Sequence, residues 1–196
     1  MNKIESSCLL KIFYQEKMGQ YYSPIVLDEN GKKIIVWMNA HNYSNGLKLT
    51  EHSYLGNNFV STFEFGLSPE GPYYKSRVVW AGDYADKEPD QEDNLYHMCN
   101  EYNMINPQEK DTTKYRYIIN HSKKQYVDKT KVPTTRVDYK DWALHPLSLL
   151  TCEGNGRGGG DYRDDAPIVG TWARDIISVD EVKPEGFEEL VFDLVE

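Results

Sequence analysis

Pro24-Ile25-Val26-Leu27-Asp28-Glu29-Asn30-Gly31-Lys32-Lys33-Ile34-Ile35-Val36-Trp37-Met38 is the stretch that decides the fold class. Two apolar runs rich in β-branched residues flank an Asn-Gly pair. Asn-Gly supplies the positive φ angles of a tight hairpin turn, so the stretch predicts two antiparallel strands. Downstream, Asn39 to Gly46 is polar and reads as a loop. In Phe59-Val60-Ser61-Thr62-Phe63-Glu64-Phe65 the alternation puts Phe59, Ser61, Phe63 and Phe65 on one face of a strand and Val60, Thr62 and Glu64 on the other. Ser68 to Pro72 is a turn, and Arg77 to Ala81 is a further strand ended by Gly82-Asp83. Asp83 and Asp86 then read as turn residues.

Leu95, Met98, Cys99 and Tyr102 recur at i, i+3, i+4 and i+7, the spacing of one buried helical stripe. Asp90, Glu92 and Asp93 precede it, where the helix dipole favours negative charge. A second hairpin is expected from Tyr115 to Asp128, turning at Asn120 to Lys124. A short helix is expected to start near Pro146. Ile168 to Val179 reads as one or two strands, and Glu189 to Val195 alternates like a final strand. The predicted class is α+β: mostly antiparallel β-hairpins, one amphipathic helix at about residues 92–104, and a long Gly-rich loop. Long βαβ alternation is absent, which argues against a doubly wound parallel sheet. A single domain over 1–196 is expected, with an arrangement of two β-rich lobes (about 1–88 and 110–196) flanking the helix left open.

Composition narrows the function classes. The 196 residues include 15 Tyr, 6 Phe and 4 Trp, too much aromatic surface to leave in water, so most of the chain is expected to fold. Its longest apolar runs fall well short of the roughly 20 residues of a membrane span. No secretion signal is expected, because Cys8-Leu9-Leu10 is cut at Lys11. The three cysteines, Cys8, Cys99 and Cys152, are odd in number and lack metal-like spacing, which predicts reduced thiols and a cytoplasmic location. Net charge is -9. Residues 83–101 and 180–196 each carry seven acids against one lysine, whereas residues 110–140 carry nine bases against three acids. The overall sign works against non-specific nucleic-acid binding.

One motif stands out from the background. Five of the 14 glycines fall between Gly154 and Gly160, in a loop by composition. Small residues let backbone amides approach an anion, and an arginine can add a forked donor. Asn155, Arg157, Gly158, Gly159, Asp161 and Arg163 are therefore the candidate ligand- or partner-binding residues. No Gly-Lys-Ser/Thr follows, so the loop is not a P-loop, and it lacks a dinucleotide fingerprint. Asn155, Asp161, Asp164 and Asp165 do not follow the calcium-loop order. Cys152 and His145 could form a thiolate–imidazole pair only if the fold joins them, and a structural cysteine is the expected reading. His97 and Cys99 cannot share a helical face. His41, His52 and His121 lie in polar stretches and read as solvated. No catalytic residues, cofactor motif or metal site is legible.

Three functions remain, the last of them a structural or assembly protein of a larger particle. The first is a non-enzymatic, acidic, intracellular binding protein that recognises a protein partner, of an immunity, regulatory or phage counter-defence type. Abundant Tyr and Trp, which enrich at interfaces, support it. The second is an enzyme or small-ligand binder whose Gly154–Gly160 loop holds an anionic or nucleotide-like ligand.

Overall fold

The computed structural model describes residues 20–137, 139–154 and 166–195. The first hairpin forms as expected, with β1 (Tyr22–Leu27) and β2 (Ile34–Trp37) antiparallel and Gly31 at a positive φ of 71°. β3 (Ser76–Gly82) lies on the other side of β1, pairing from Tyr22↔Gly82 to Leu27↔Arg77. The second hairpin joins β4 (Tyr117–Asn120) to β5 (Gln125–Asp128). A small separate hairpin pairs β6 (Thr135–Val137) with β7 (Lys140–Trp142). β8 (Cys152–Glu153), β9 (Ile176–Asp180) and β10 (Glu188–Glu189) complete the strands. The main sheet runs β10-β5-β4-β9-β3-β1-β2, so strands from both ends of the chain share one sheet. Most pairs are antiparallel; β3 with β8 and β10 with β5 are parallel.

β3 explains how the sheet is buried on both faces. Val78 and Trp80 point into one hydrophobic cluster, and Val79 and Ala81 point into another. That is the two-residue alternation of a strand, with apolar residues at every position from Val78 to Ala81. Its edge away from β1 is shared: β9 pairs with Ser76 and Arg77, and β8 pairs with Trp80 and Ala81. Between them, Arg174 donates its backbone N–H to Val78 O at 2.7 Å.

The sequence expectation for 59–65 is corrected. The segment is not a strand but the core of helix α2 (Asn58–Gly66), which follows the one-turn helix α1 (Leu49–His52). Asn57 caps α2, its Oδ1 accepting from Phe59 N at 2.9 Å. Phe59 and Phe63, one turn apart, both meet the Trp80 ring edge-on, with centroids 6.0 and 5.1 Å away. Phe59, Val60, Ser61, Thr62, Phe63 and Glu64 are all buried. A helix buried nearly all round shows no polar stripe, so the alternation of phenylalanines mimics a strand.

The helix expected over 92–104 is also shorter than its periodicity implied. α3 spans Leu95–Met98 and a 3-10 turn covers Cys99–Glu101. Asn94 caps it, accepting from His97 N at 3.1 Å. Leu95 and Cys99 are buried, but Tyr102 is 38% exposed. The chain turns extended there because the backbone beside it pairs with β2: Trp37 N donates to Asn103 O, and Ile105 N donates to Trp37 O.

The expected short helix is α4 (Pro146–Thr151), with Pro at its first turn. The final strand is reduced to Glu188–Glu189. Beyond it Phe192 is buried and Val191 and Val195 are exposed, so the alternation persists without the ladder. Among the described residues no helix is long and apolar enough to cross a membrane.

Candidate functional site

The residues singled out in the Gly-rich segment, Asn155, Arg157, Gly158, Gly159, Asp161 and Arg163, lie outside the described residues, as does Cys8. The described residues carry a different site. A cavity of about 580 Å³ opens beside α2, and Glu64, fully buried, is among its lining residues.

Three elements far apart in sequence meet at Glu64. Lys129 starts a 3-10 turn, Lys129–Lys131, that Asp128 caps by accepting from Thr130 N at 3.1 Å. This places Lys129 Nζ 2.6 Å from Glu64 Oε1 and 3.4 Å from Thr112 O. His145 sits at the cap of α4, where its Nδ1 accepts from Leu147 N at 3.2 Å. A ring nitrogen that accepts cannot carry a proton, so neutral His145 is protonated at Nε2. That nitrogen faces Glu64 Oε1 at 3.6 Å.

Electrostatics follow from this geometry. Burial lowers the His145 pKa, Glu64 opposes that, and Lys129 adds to the lowering. Charging the ring would also cost the cap its acceptor. The imidazole is therefore neutral near pH 7. Burial works against ionisation of Glu64, but the groups facing it, His145 and Lys129, outweigh burial and hold its carboxyl below the usual range. With His145 neutral, Lys129 is the cation that balances Glu64. Oε1 is engaged; Oε2 is buried and receives no hydrogen bond from the described residues. A buried carboxylate oxygen left without a donor is costly, about 1–3 kcal/mol or more for a charged group.

The walls around this base are polar and internally paired. Arg116 grips Asp128 with two bonds, Nε to Oδ1 at 2.8 Å and Nη2 to Oδ2 at 2.6 Å. The Arg116 guanidinium holds the Asp128 carboxyl well below the usual range, with burial opposing and Thr130 assisting. Thr113 donates to Asp111 Oδ1 at 2.6 Å, and Thr130 donates to Asp128 Oδ1 at 2.7 Å. Thr62 donates to Gln108 O at 2.6 Å, tying the wall segment to α2. Lys110 lies over the Phe65 ring, 4.2 Å from its centroid.

A general base works best with a pKa near the operating pH, whereas Glu64 is held ionised well below it. The arrangement is suited to accepting hydrogen bonds more than to shuttling protons.

Cys152 is not part of this site. Its thiol donates to Leu149 O at 3.2 Å, and burial pushes its pKa up; it does not pair with His145. The solvated reading of His52 is corrected. It is buried, not solvated: Nε2 accepts from Trp80 Nε1 at 3.0 Å, and Nδ1 lies 3.0 Å from Gly46 O. His121 is part-buried, with Nε2 2.7 Å from Ser178 Oγ. Among the described residues, no group of three or more His, Cys, Asp or Glu side chains could hold a metal ion.

Glu64 and Lys129 were missed from sequence. Glu64 read as the outer face of a strand, and Lys129 as one charge in a basic stretch. A lone acid inside an aromatic run, Phe63-Glu64-Phe65, was the available signal. No protein-family model matches the chain, and no curated protein or solved structure matches it.

Proposed function

We propose that the protein binds a small polar molecule in the cavity beside α2, with Glu64 at its base. The observation that carries the reading is a cavity of about 580 Å³ beside α2, lined by polar and charged side chains such as Lys110, Asp111, Thr113 and Thr130. The cavity volume falls in the roughly 300–1,000 Å³ range of small-molecule sites. The lowered pKa of Glu64 favours binding over acid–base turnover. The test is a fragment-library screen by ligand-observed NMR against the native chain and against Ser61→Met, which adds bulk at the cavity wall and leaves Glu64 and Lys129 in the sequence. Hits that disappear in Ser61→Met support the reading. A screen whose every hit survives the substitution overturns it.

A second reading, recognition of a protein partner, draws on the β6–β7 hairpin. Tyr139 at its turn is 93% exposed, and the Trp142 ring packs edge-on to Tyr54 at 4.9 Å. Exposed aromatics of this kind are frequent interface anchors. A photo-crosslinker at Tyr139 should then yield one stoichiometric adduct with a partner that Trp142→Ala no longer binds. Absence of any such adduct removes this reading.

A further inference from the structure

Resting on the small-molecule reading, we infer that the cavity takes a zwitterion, an amino acid or short peptide whose carboxylate meets Lys110 and whose ammonium meets Asp111 and Glu109. Three acids and three bases line the cavity: Glu64, Glu109 and Asp111 against Lys110, Arg116 and Lys129. His145, neutral near pH 7, adds no charge. Two of the bases are matched within the protein. Lys129 pairs with Glu64, and both side chains are buried, so that pair takes no part in meeting a ligand. Arg116 pairs with Asp128 through Nε and Nη2. Its side chain is 46% exposed, and its Nη1 has no acceptor among the described residues.

The three charges left over follow one another in the chain, Glu109-Lys110-Asp111. Solvent reaches all of them: Glu109 and Asp111 are exposed and Lys110 is half-buried. None forms an ion pair among the described residues. Lys110 rests instead on the neutral ring of Phe65. Asp111 is oriented by Thr113, whose N and Oγ1 donate to its Oδ1 at 2.9 and 2.6 Å and hold the carboxyl below its usual range. A lone anion drawn to Lys110 would be repelled by the acids on either side of it in sequence. A lone cation drawn to those acids would be repelled by Lys110. An uncharged molecule would leave all three charges to water. A ligand with one charge of each sign meets both halves of the wall with charge-assisted hydrogen bonds, the stronger kind. Arg116 Nη1 is a second donor for its carboxylate.

The test uses the full native chain, with binding read by saturation-transfer NMR and calorimetry. The probes are alanine and alanylalanine, which separate an amino-acid site from a peptide site, and three blocked forms of the dipeptide. N-acetyl-alanylalanine keeps only the carboxylate, alanylalanine amide keeps only the ammonium, and the doubly blocked form keeps neither. At least one zwitterion should bind. Blocking either end of the dipeptide should weaken it about fivefold, the upper value of one solvent-exposed ion pair, and blocking both should weaken it further. Lys110→Met should weaken the zwitterion and the N-acetyl form about fivefold and leave the amide form unchanged. Asp111→Asn, which keeps an oxygen for Thr113, should do the reverse. Both positions are solvent-accessible, so both variants are expected to fold. A singly charged form that binds at least as well as the zwitterion, in a manner sensitive to Ser61→Met, would retain the cavity's role and overturn the zwitterion assignment. So would library fragments sensitive to Ser61→Met with no binding of alanine or alanylalanine. Zwitterion binding indifferent to both Lys110→Met and Asp111→Asn would overturn it as well. If no probe and no library fragment binds in a manner sensitive to Ser61→Met, the small-molecule reading itself falls.

Discussion

Two buried ionic clusters, each built around glutamate and a cationic side chain, end in opposite states. One is closed. Arg174, at a positive φ of 66° where the edge of β3 passes from β9 to β8, holds two buried carboxylates with one guanidinium. Its Nε and Nη2 donate to Glu153 at 2.7 and 2.6 Å; its Nη1 donates to Glu88 Oε2 at 2.8 Å and its Nη2 to Glu88 Oε1. All four carboxylate oxygens are engaged. The other is open in its hydrogen bonding: Glu64 has one oxygen on Lys129 and one buried without a donor among the described residues. A planar fork can satisfy two carboxylates at once, whereas an ammonium is a point charge that satisfies one oxygen well. The closed cluster binds the chain to itself. The open one leaves a buried acceptor unsatisfied.

Removing the cation from each cluster gives the largest effects. Arg174→Met strips two buried carboxylates of the guanidinium that engages all four of their oxygens. Breaking one buried pair costs about 3–5 kcal/mol, so this variant should lose at least about 5 kcal/mol and show a greatly lowered urea midpoint. A loss below about 1 kcal/mol would mean that water reaches the cluster and that it is not closed. Lys129→Met should cost less, about 3 kcal/mol at pH 7, because only Glu64 is orphaned. Glu64 without its cation can take up a proton, raising its folded-state pKa. The deficit relative to wild type should therefore shrink as pH falls from 7 to 5. A deficit constant over that range would contradict the ion-pair account.

Mild acid separates the clusters further. The closed one has no histidine, while the open one has His145. Burial lowers the pKa of both His145 and the core residue His52, the latter to about 4. For a lowered histidine pKa the unfolded chain binds the proton first. The associated stability is complete above the unfolded value of about 6.5 and is lost as pH falls towards the folded value. His52 alone should cost about 2 kcal/mol by pH 5. The melting temperature should drop over pH 6.5–5, before the carboxylates begin to titrate. His52→Gln keeps an amide oxygen for Trp80 and should flatten the curve in part, leaving the share of His145. A wild-type melting temperature flat across that range would refute neutral burial of both rings.

The comparison also marks how far the sequence could be read. Hairpins 22–37 and 117–128 were legible because strand alternation and turn residues are local signals. α4 was legible because Pro146 marks a helix start. α2 was not: Phe59, Ser61, Phe63 and Phe65 alternate like a strand, and only packing against Trp80 and the sheet decides for a helix. The site was illegible for a related reason. Glu64 and Lys129 are 65 residues apart, and Arg174 reaches Glu88 over 86. Such pairings exist only once the sheet order is set, because β3 draws its neighbours from both ends of the chain. His145 was noticed, but beside Cys152, its neighbour in sequence; the cap of α4 turns its ring towards Glu64 instead.

The smallest effect is a rate. Cys152 lies in β8, next to Glu153, and its thiol is fully buried with its pKa pushed up by burial. Only a thiolate in contact with solvent reacts with a disulfide reagent. Native labelling of Cys152 must therefore wait for β8 to leave β3, and its rate follows the population of that opening. Arg174→Lys keeps the positive charge but loses the fork over Glu153, so opening should become easier by roughly the 1.4 kcal/mol that corresponds to tenfold. Labelling of Cys152, resolved from Cys99 by mass spectrometry, should then be about tenfold faster, with a melting temperature lowered only modestly. Ser61→Met acts on the open site and should leave the rate unchanged. Equal acceleration in both variants would mean that the clusters share one opening and that their separation into closed and open regions is wrong.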